Sequence, residues 1–139
     1  MSSPFLDIPE SEWIAHNQHA FAIYDNYPVT RGHALIITHR QVPTWFEATD
    51  AEQKAIFDLI AELRQYLKNE FDPDGFNIGV NCGETAGQTI DHLHVHLIPR
   101  YRGDVDDPTG GVRHVIPERG NYKDNSIENW QESAPGANL

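Results

Sequence analysis

The sequence predicts an α+β domain, a mainly antiparallel sheet with one long helix, on three observations. Two strand-like runs, "HAFAIYD" at residues 19–25 and "HALIITH" at 33–39, flank a short turn. An amphipathic stretch of helical period follows at 49–71. Two more strand-like runs, "FNIGVNC" at 76–82 and "HLHVHLI" at 92–98, complete the pattern.

The first two runs mix aromatic and aliphatic residues, a composition suited to a pleated, buried surface. Between them "NYPVTRG" supplies Pro28 and Gly32, so the pair reads as a hairpin with Asp25 and His33 near its connecting end. In "TDAEQKAIFDLIAELRQYLKNEF", Thr49 followed three residues later by Glu52 spells a capping box. Ile56, Leu59, Ile60, Leu63 and Leu67 recur there at helical spacing with charged residues on the other face, which predicts packing against the sheet. "FDPDG" breaks the helix, and "GETAGQ" is a glycine-bearing turn into the last strand. Beyond Arg100 the chain is rich in Gly, Pro and acidic residues and reads as loop, with "VRHVIP" as a patch of local order. No repeat or second domain is visible. The expectation is one domain over residues 1–103 with a loop-rich extension, 104–139, packed on it.

A chain of 139 residues suits one domain and buries about two-thirds of the surface its unfolded form exposes. The single cysteine, Cys82, cannot form an internal disulfide, and no cysteine cluster exists from which to build a structural zinc site. "MSSPFLDIPESEW" has neither the basic start nor the apolar stretch of a signal peptide, and no run approaches the roughly 20 apolar residues of a membrane helix. These features predict a soluble cytoplasmic protein. Twenty-one acidic against ten basic residues give a formal charge of −11, which opposes broad contact with a nucleic-acid polymer or an anionic membrane. A small anion remains an acceptable ligand where local donors overcome that field.

Three of the eight histidines, His92, His94 and His96, stand at alternate positions of the last strand. On a β-strand this spacing puts the imidazoles on one face and Leu93, Val95 and Leu97 on the other. A metal site is one reading, because imidazole is a common ligand. Same-face neighbours lie about 6.6 Å apart along a strand, which is too spread for three histidines to surround one zinc ion. An HxH pair with further ligands from His33, Asp25 or Asp91 stays open, as does a merely solvated strand face. A third reading is nucleophilic catalysis at phosphorus: one imidazole forms a covalent intermediate while its neighbours donate to phosphate oxygens and hold its tautomer. The upstream "GETAGQT" adds backbone N–H groups and the neutral side chains of Gln88 and Thr89 as donors.

The segment "HLHVHLI", residues 92–98, resembles the signature of the histidine triad (HIT) family, His-φ-His-φ-His-φ-φ with φ apolar. "NCGETAGQT" and "YDNYPVTRGHALII" are also similar to that family, so the resemblance covers about residues 19–101. It implies the family's α+β fold as a homodimer. It further implies a hydrolase or nucleotidyl transferase acting at the α-phosphate of a dinucleoside polyphosphate or nucleoside phosphoramidate, with release of a nucleoside monophosphate. By the same resemblance His94 is the nucleophile, His92 and His96 bind and polarise phosphate oxygens, and His33 supports the triad. Asp25 matches the position that holds the ribose hydroxyls, and Asn81, Gln88 and Thr89 match polar positions around the phosphates and leaving group. No cofactor is implied, although magnesium could accompany a polyphosphate substrate.

Two departures from the family pattern stand out. Arg31 precedes Gly32 where proline is common, bringing an extra positive charge toward the site, and the zinc-binding cysteines of some members are absent. Trp130 is a candidate for a contact across the dimer. Two other classes of function stay beside the first: a nucleotide-binding regulatory protein with little turnover, and a metal-dependent enzyme using the HxH pair.

Overall fold

A computed structural model describes residues 2–123, and the expected hairpin lies at its centre. Strands β2 (Ala20–Tyr24) and β3 (Ala34–Thr38) pair antiparallel with Ala20 opposite Thr38 and Tyr24 opposite Ala34. A two-residue strand, β1 (Ala15–His16), extends the sheet on one side; β5 (His94–Arg100) and β4 (Gly75–Val80) extend it on the other. The order is β1-β2-β3-β5-β4 and every pairing is antiparallel.

The helix α1 (Asp50–Phe71) starts where the sequence places it. Thr49 accepts from the Glu52 amide, and the Glu52 carboxylate accepts from the Thr49 amide, so the capping box is complete. Glu52 also binds the Arg40 guanidinium at 2.7 Å, tying the helix start to the end of β3. At its other end Asp72 adopts a left-handed conformation and Pro73 cannot continue the helix.

Sidedness explains the uninterrupted apolar runs of β2 and β3. Ala20, Ala22, Ala34 and Ile36 face α1, where Ile56, Leu59, Leu63 and Leu67 are buried. Phe21, Ile23, Leu35 and Ile37 form a second cluster with Phe5, packed by Ile8, Trp13 and Ile90. A sheet covered on both faces selects continuous hydrophobic strands rather than alternating ones, and each large side chain so buried contributes about 1.5–3 kcal/mol. The hairpin turn is seated by Gly32 at φ +86°, where a Cβ would come within 2.8 Å of the Phe71 ring.

The chain divides into two compact units between Tyr101 and Arg102. Within the second unit the "VRHVIP" segment is ordered as short 3₁₀ turns, Gly111–Val115 and Pro117–Arg119. The Arg113 guanidinium donates to the Gly120 and Arg119 carbonyls, and Asp107 accepts from the Thr109 amide and the Asn121 side chain. Trp130 lies outside the described residues. Among the described residues no helix is long and apolar enough to cross a membrane.

Candidate active site

The register of β3 against β5, with Leu35 opposite His96 and Ile37 opposite His94, brings the hairpin's connecting end to the histidine strand. His94 and His96 line a cavity of about 440 Å³ together with Asp25, Asn81 and Thr89. Its apolar wall is Phe5, Ile8, Ile23, Leu35 and Ile90. Val95 and Leu97 point the other way, into the core under α1, as alternation requires.

The hydrogen-bond partners fix which nitrogen of each ring carries the proton. The Val29 backbone N–H can only donate, and it does so to His33 Nδ1 at 3.1 Å. Neutral His33 therefore carries its proton on Nε2, which donates to His96 Nδ1 at 2.9 Å and lies 3.4 Å from Asp25 Oδ2. His96 in turn keeps its proton on Nε2, the nitrogen left for a ligand. His94 has the opposite arrangement: its Nδ1 lies 2.7 Å from the His92 carbonyl, which only accepts, so Nδ1 is protonated and the neutral ring bears its lone pair on Nε2. One cavity wall thus presents a neutral donor beside a lone pair, on rings whose centroids are 5.5 Å apart.

Electrostatics keep the surrounding imidazoles neutral. His96 is pushed down to about 4, first by burial and then by the neighbouring His94 and His33, with Asp25 opposing. Burial also lowers His33, against the pull of Asp25, and lowers His92. Asp25, His33 and His96 offer ligand atoms within 4.8 Å of one another, a spacing a metal ion could use. In the neutral tautomer, however, the His33 Nε2 that faces the group carries a proton where a metal needs a lone pair. A metal there requires moving that proton onto Nδ1, against the Val29 N–H.

Several expected residues are placed differently. His92 precedes β5 rather than belonging to it and is fully buried, with Nε2 donating to the Thr38 carbonyl and Nδ1 accepting from the Ser3 hydroxyl, both at 2.7 Å. Both nitrogens of this ring, expected at the phosphate, are thus engaged by the protein itself. Gln88, expected as a phosphate donor, is likewise held by protein groups. Its Nε2 donates to the Pro43 and Ile90 carbonyls and its Oε1 accepts from the Gly83 amide, so the side chain holds the glycine turn together. Arg31 lies over the Tyr101 ring at 5.2 Å, away from the cavity lining. His33 is 3% exposed and reaches His96 rather than the cavity, while Asp25 also caps the turn by accepting from the Tyr27 amide at 2.8 Å.

The N-terminal segment was not anticipated at the site. Residues Pro4–Asp7 form a 3₁₀ turn capped by Ser3, and Phe5 sets its ring edge-on to His92 and His94 at 5.7 and 5.0 Å. The only signal in the sequence is the "SSPF" start, a capping serine followed by proline, and it carries no hint of its distant partner.

Residues 8–103 match the HIT domain. AP-4-A phosphorylase of Mycobacterium tuberculosis is 34% identical over 125 residues, which are 84% of this chain and 64% of that protein. Bis(5'-adenosyl)-triphosphatase of Dictyostelium discoideum is 30% identical over 116 residues, 84% of this chain and 77% of that protein. A crystal structure of a HIT family member from Bacillus subtilis superimposes with a TM-score of 0.70 at 31% identity, covering 95% of this chain and 92% of that one. The chain thus spans just under two-thirds of the length of the mycobacterial relative.

Proposed function

The chain belongs to the HIT family, and on that footing we propose that it is a nucleotide hydrolase or nucleotidyl transferase whose nucleophile is His94. The substrate class is a dinucleoside polyphosphate or a nucleoside phosphoramidate. The observation that carries the reading is the pairing of tautomers: His94 Nε2 holds a lone pair beside the Nε2–H of His96 on one cavity wall. Relatives named as an AP-4-A phosphorylase and a bis(5'-adenosyl)-triphosphatase favour the polyphosphate.

In this reading the base fills the apolar end, against Phe5, Ile8, Ile23 and Leu35, and Asp25 accepts from the ribose hydroxyls. A volume of about 440 Å³ is within the range of small-molecule sites, about 300–1,000 Å³. His94 Nε2 attacks the α-phosphorus: the P–N bond forms as the bond to the leaving group breaks. A polyphosphate departs as its anion, and an amine takes up a proton from solvent, which the hydrolytic half-reaction returns. The ring, substituted at Nε2 and protonated at Nδ1, is then cationic, and the His92 carbonyl stabilises it through the Nδ1–H bond. His96 donates to the charge developing on the phosphoryl oxygens, and Asn81 and Thr89 lie on the wall nearby. Water attacks the phosphorus, the P–N bond breaks, and nucleoside monophosphate leaves with release of a proton. With inorganic phosphate as acceptor in place of water, the same intermediate gives phosphorolysis. The route draws on no metal, and magnesium enters only as part of a polyphosphate substrate.

The same reading includes a homodimer. β4 is an open sheet edge with Ile78 half exposed, and α1 leaves Phe57 and Tyr66 exposed, apolar surface that a second copy would cover.

Turnover of diadenosine polyphosphates and of a fluorogenic nucleoside phosphoramidate, each with and without excess chelator, tests the activity. Release of nucleoside monophosphate from phosphoramidate that survives the chelator is expected. Tight binding without turnover would sink the enzymatic reading, and loss of phosphoramidate turnover in chelator would sink the metal-free route.

A further inference from the structure

His94 depends on a peptide unit that is itself held from several sides. The His92 carbonyl accepts from His94 Nδ1, and the N–H of the same peptide unit, that of Leu93, donates to the Val42 carbonyl at 2.7 Å. The His92 ring is fixed by the Thr38 carbonyl and by the Ser3 hydroxyl. Thr38 and Val42 belong to β3 and the loop after it. Ser3 comes from a separate segment 89 residues away in sequence.

Ser3 is suited to that task. It is 2% exposed, its hydroxyl also accepts from the Phe5 amide at 3.2 Å, and its own N–H donates to the Gln41 side chain at 3.2 Å. Since His92 Nε2 is committed to donating to a carbonyl, Nδ1 can only accept, and the Ser3 O–H is the donor it meets. Phe5, two residues on, lies edge-on against both His92 and His94.

We propose that Ser3 is a positioning residue for the nucleophile: its hydroxyl holds the His92 ring, and through the His92 carbonyl it keeps His94 in the tautomer and orientation that aim the Nε2 lone pair at phosphorus. The inference rests on the nucleotidyl-transfer reading for its effect on rate, but not for its effect on tautomer. Small displacements of a reacting group cost rate more than binding, because only the transition state demands the aligned geometry.

The test compares Ser3→Ala with Ser3→Thr, which keeps a hydroxyl, and with Leu6→Ala, which changes an exposed side chain of the same segment. With a fluorogenic nucleoside phosphoramidate, Ser3→Ala is expected to lower kcat about tenfold with KM within about threefold, a transition-state loss. Ser3→Thr is expected to recover most of that loss, and Leu6→Ala to leave both constants unchanged. Imidazole nitrogen NMR reads the tautomers independently of turnover: the wild type is expected to hold His94 protonated at Nδ1, and Ser3→Ala to shift part of the population to Nε2. Should Ser3→Ala fail to fold, Ser3→Cys, with its weaker S–H donor, is expected to show the same two effects. A His94 tautomer unchanged by loss of the hydroxyl overturns the proposal, as does an active wild type whose Ser3 variants all match it. A wild type without turnover whose tautomer still responds to Ser3→Ala sinks the enzymatic reading and upholds the positioning role.

Discussion

Replacing His94 by alanine should abolish the covalent route while leaving the nucleotide cavity standing. The His94 Nδ1–H bond to the His92 carbonyl is 2.7 Å long, and a net contribution of about 1 kcal/mol biases the ring about fivefold toward the tautomer with its lone pair at Nε2. In that tautomer the neutral ring is already aimed as a nucleophile, and alanine forfeits the whole of its contribution. Removal of the nucleophile from a covalent hydrolase costs about 10⁶ in kcat, the remainder coming from binding and oxyanion donors. Here His96, Asp25 and the apolar wall all remain, so a loss of about 10⁴- to 10⁶-fold in kcat is expected, with nucleoside monophosphate affinity within about threefold. His96→Ala removes one donor to phosphate and should cost about 10²- to 10³-fold. His92→Ala acts differently, since that ring reaches no ligand and its loss displaces the His94 acceptor. Rapid-quench mass spectrometry supplies the direct assay: wild type should carry a nucleoside monophosphate on His94, and His94→Ala none. A steady-state rate in His94→Ala within tenfold of wild type would refute the assignment.

Asp25→Ala should raise KM for ribonucleotide substrates more than it lowers kcat, because a ribose contact serves ground and transition states alike. Comparing ribose with 2′-deoxyribose substrates checks it, and equal losses in wild type and variant on removing the hydroxyl exclude Asp25 as the ribose ligand. Stability should fall on mild acidification. Burial lowers His33, His92 and His96 below their ordinary value of 6.5, so between that value and their folded values, about 4 for His96, the unfolded chain binds more protons. Their contribution is full above about pH 6.5 and is lost as the pH falls toward about 4; calorimetry should show Tm dropping between about pH 7 and pH 5, and a flat Tm there contradicts the assigned burial. In sedimentation at micromolar concentration the chain should run at twice 15.8 kDa, and a solely monomeric species would remove the homodimer.

Local chemistry explains what was legible without coordinates. The capping box at Thr49 and Glu52, the helical stripe from Ile56 to Leu67 and the hairpin turn at Pro28 to Gly32 each depend on residues a few positions apart. Alternation along "HVHLI" likewise placed His94 and His96 opposite Val95 and Leu97, because the period of a strand is a backbone property. Extending that period back to His92 overreached by two residues: the chain turns there, and burying the ring against Thr38 and Ser3 satisfies both of its nitrogens. The partners of Gln88 are not legible for a related reason, since a side-chain amide beside a glycine turn can serve the turn or a ligand, and only the fold brings it to Pro43 and Gly83. Local periodicity and turn chemistry are enough to assign residue types to elements. Tertiary structure alone decided which nitrogen of each imidazole holds a proton, because that depends on whether a backbone N–H, a carbonyl or a hydroxyl from a distant segment arrives within about 3 Å.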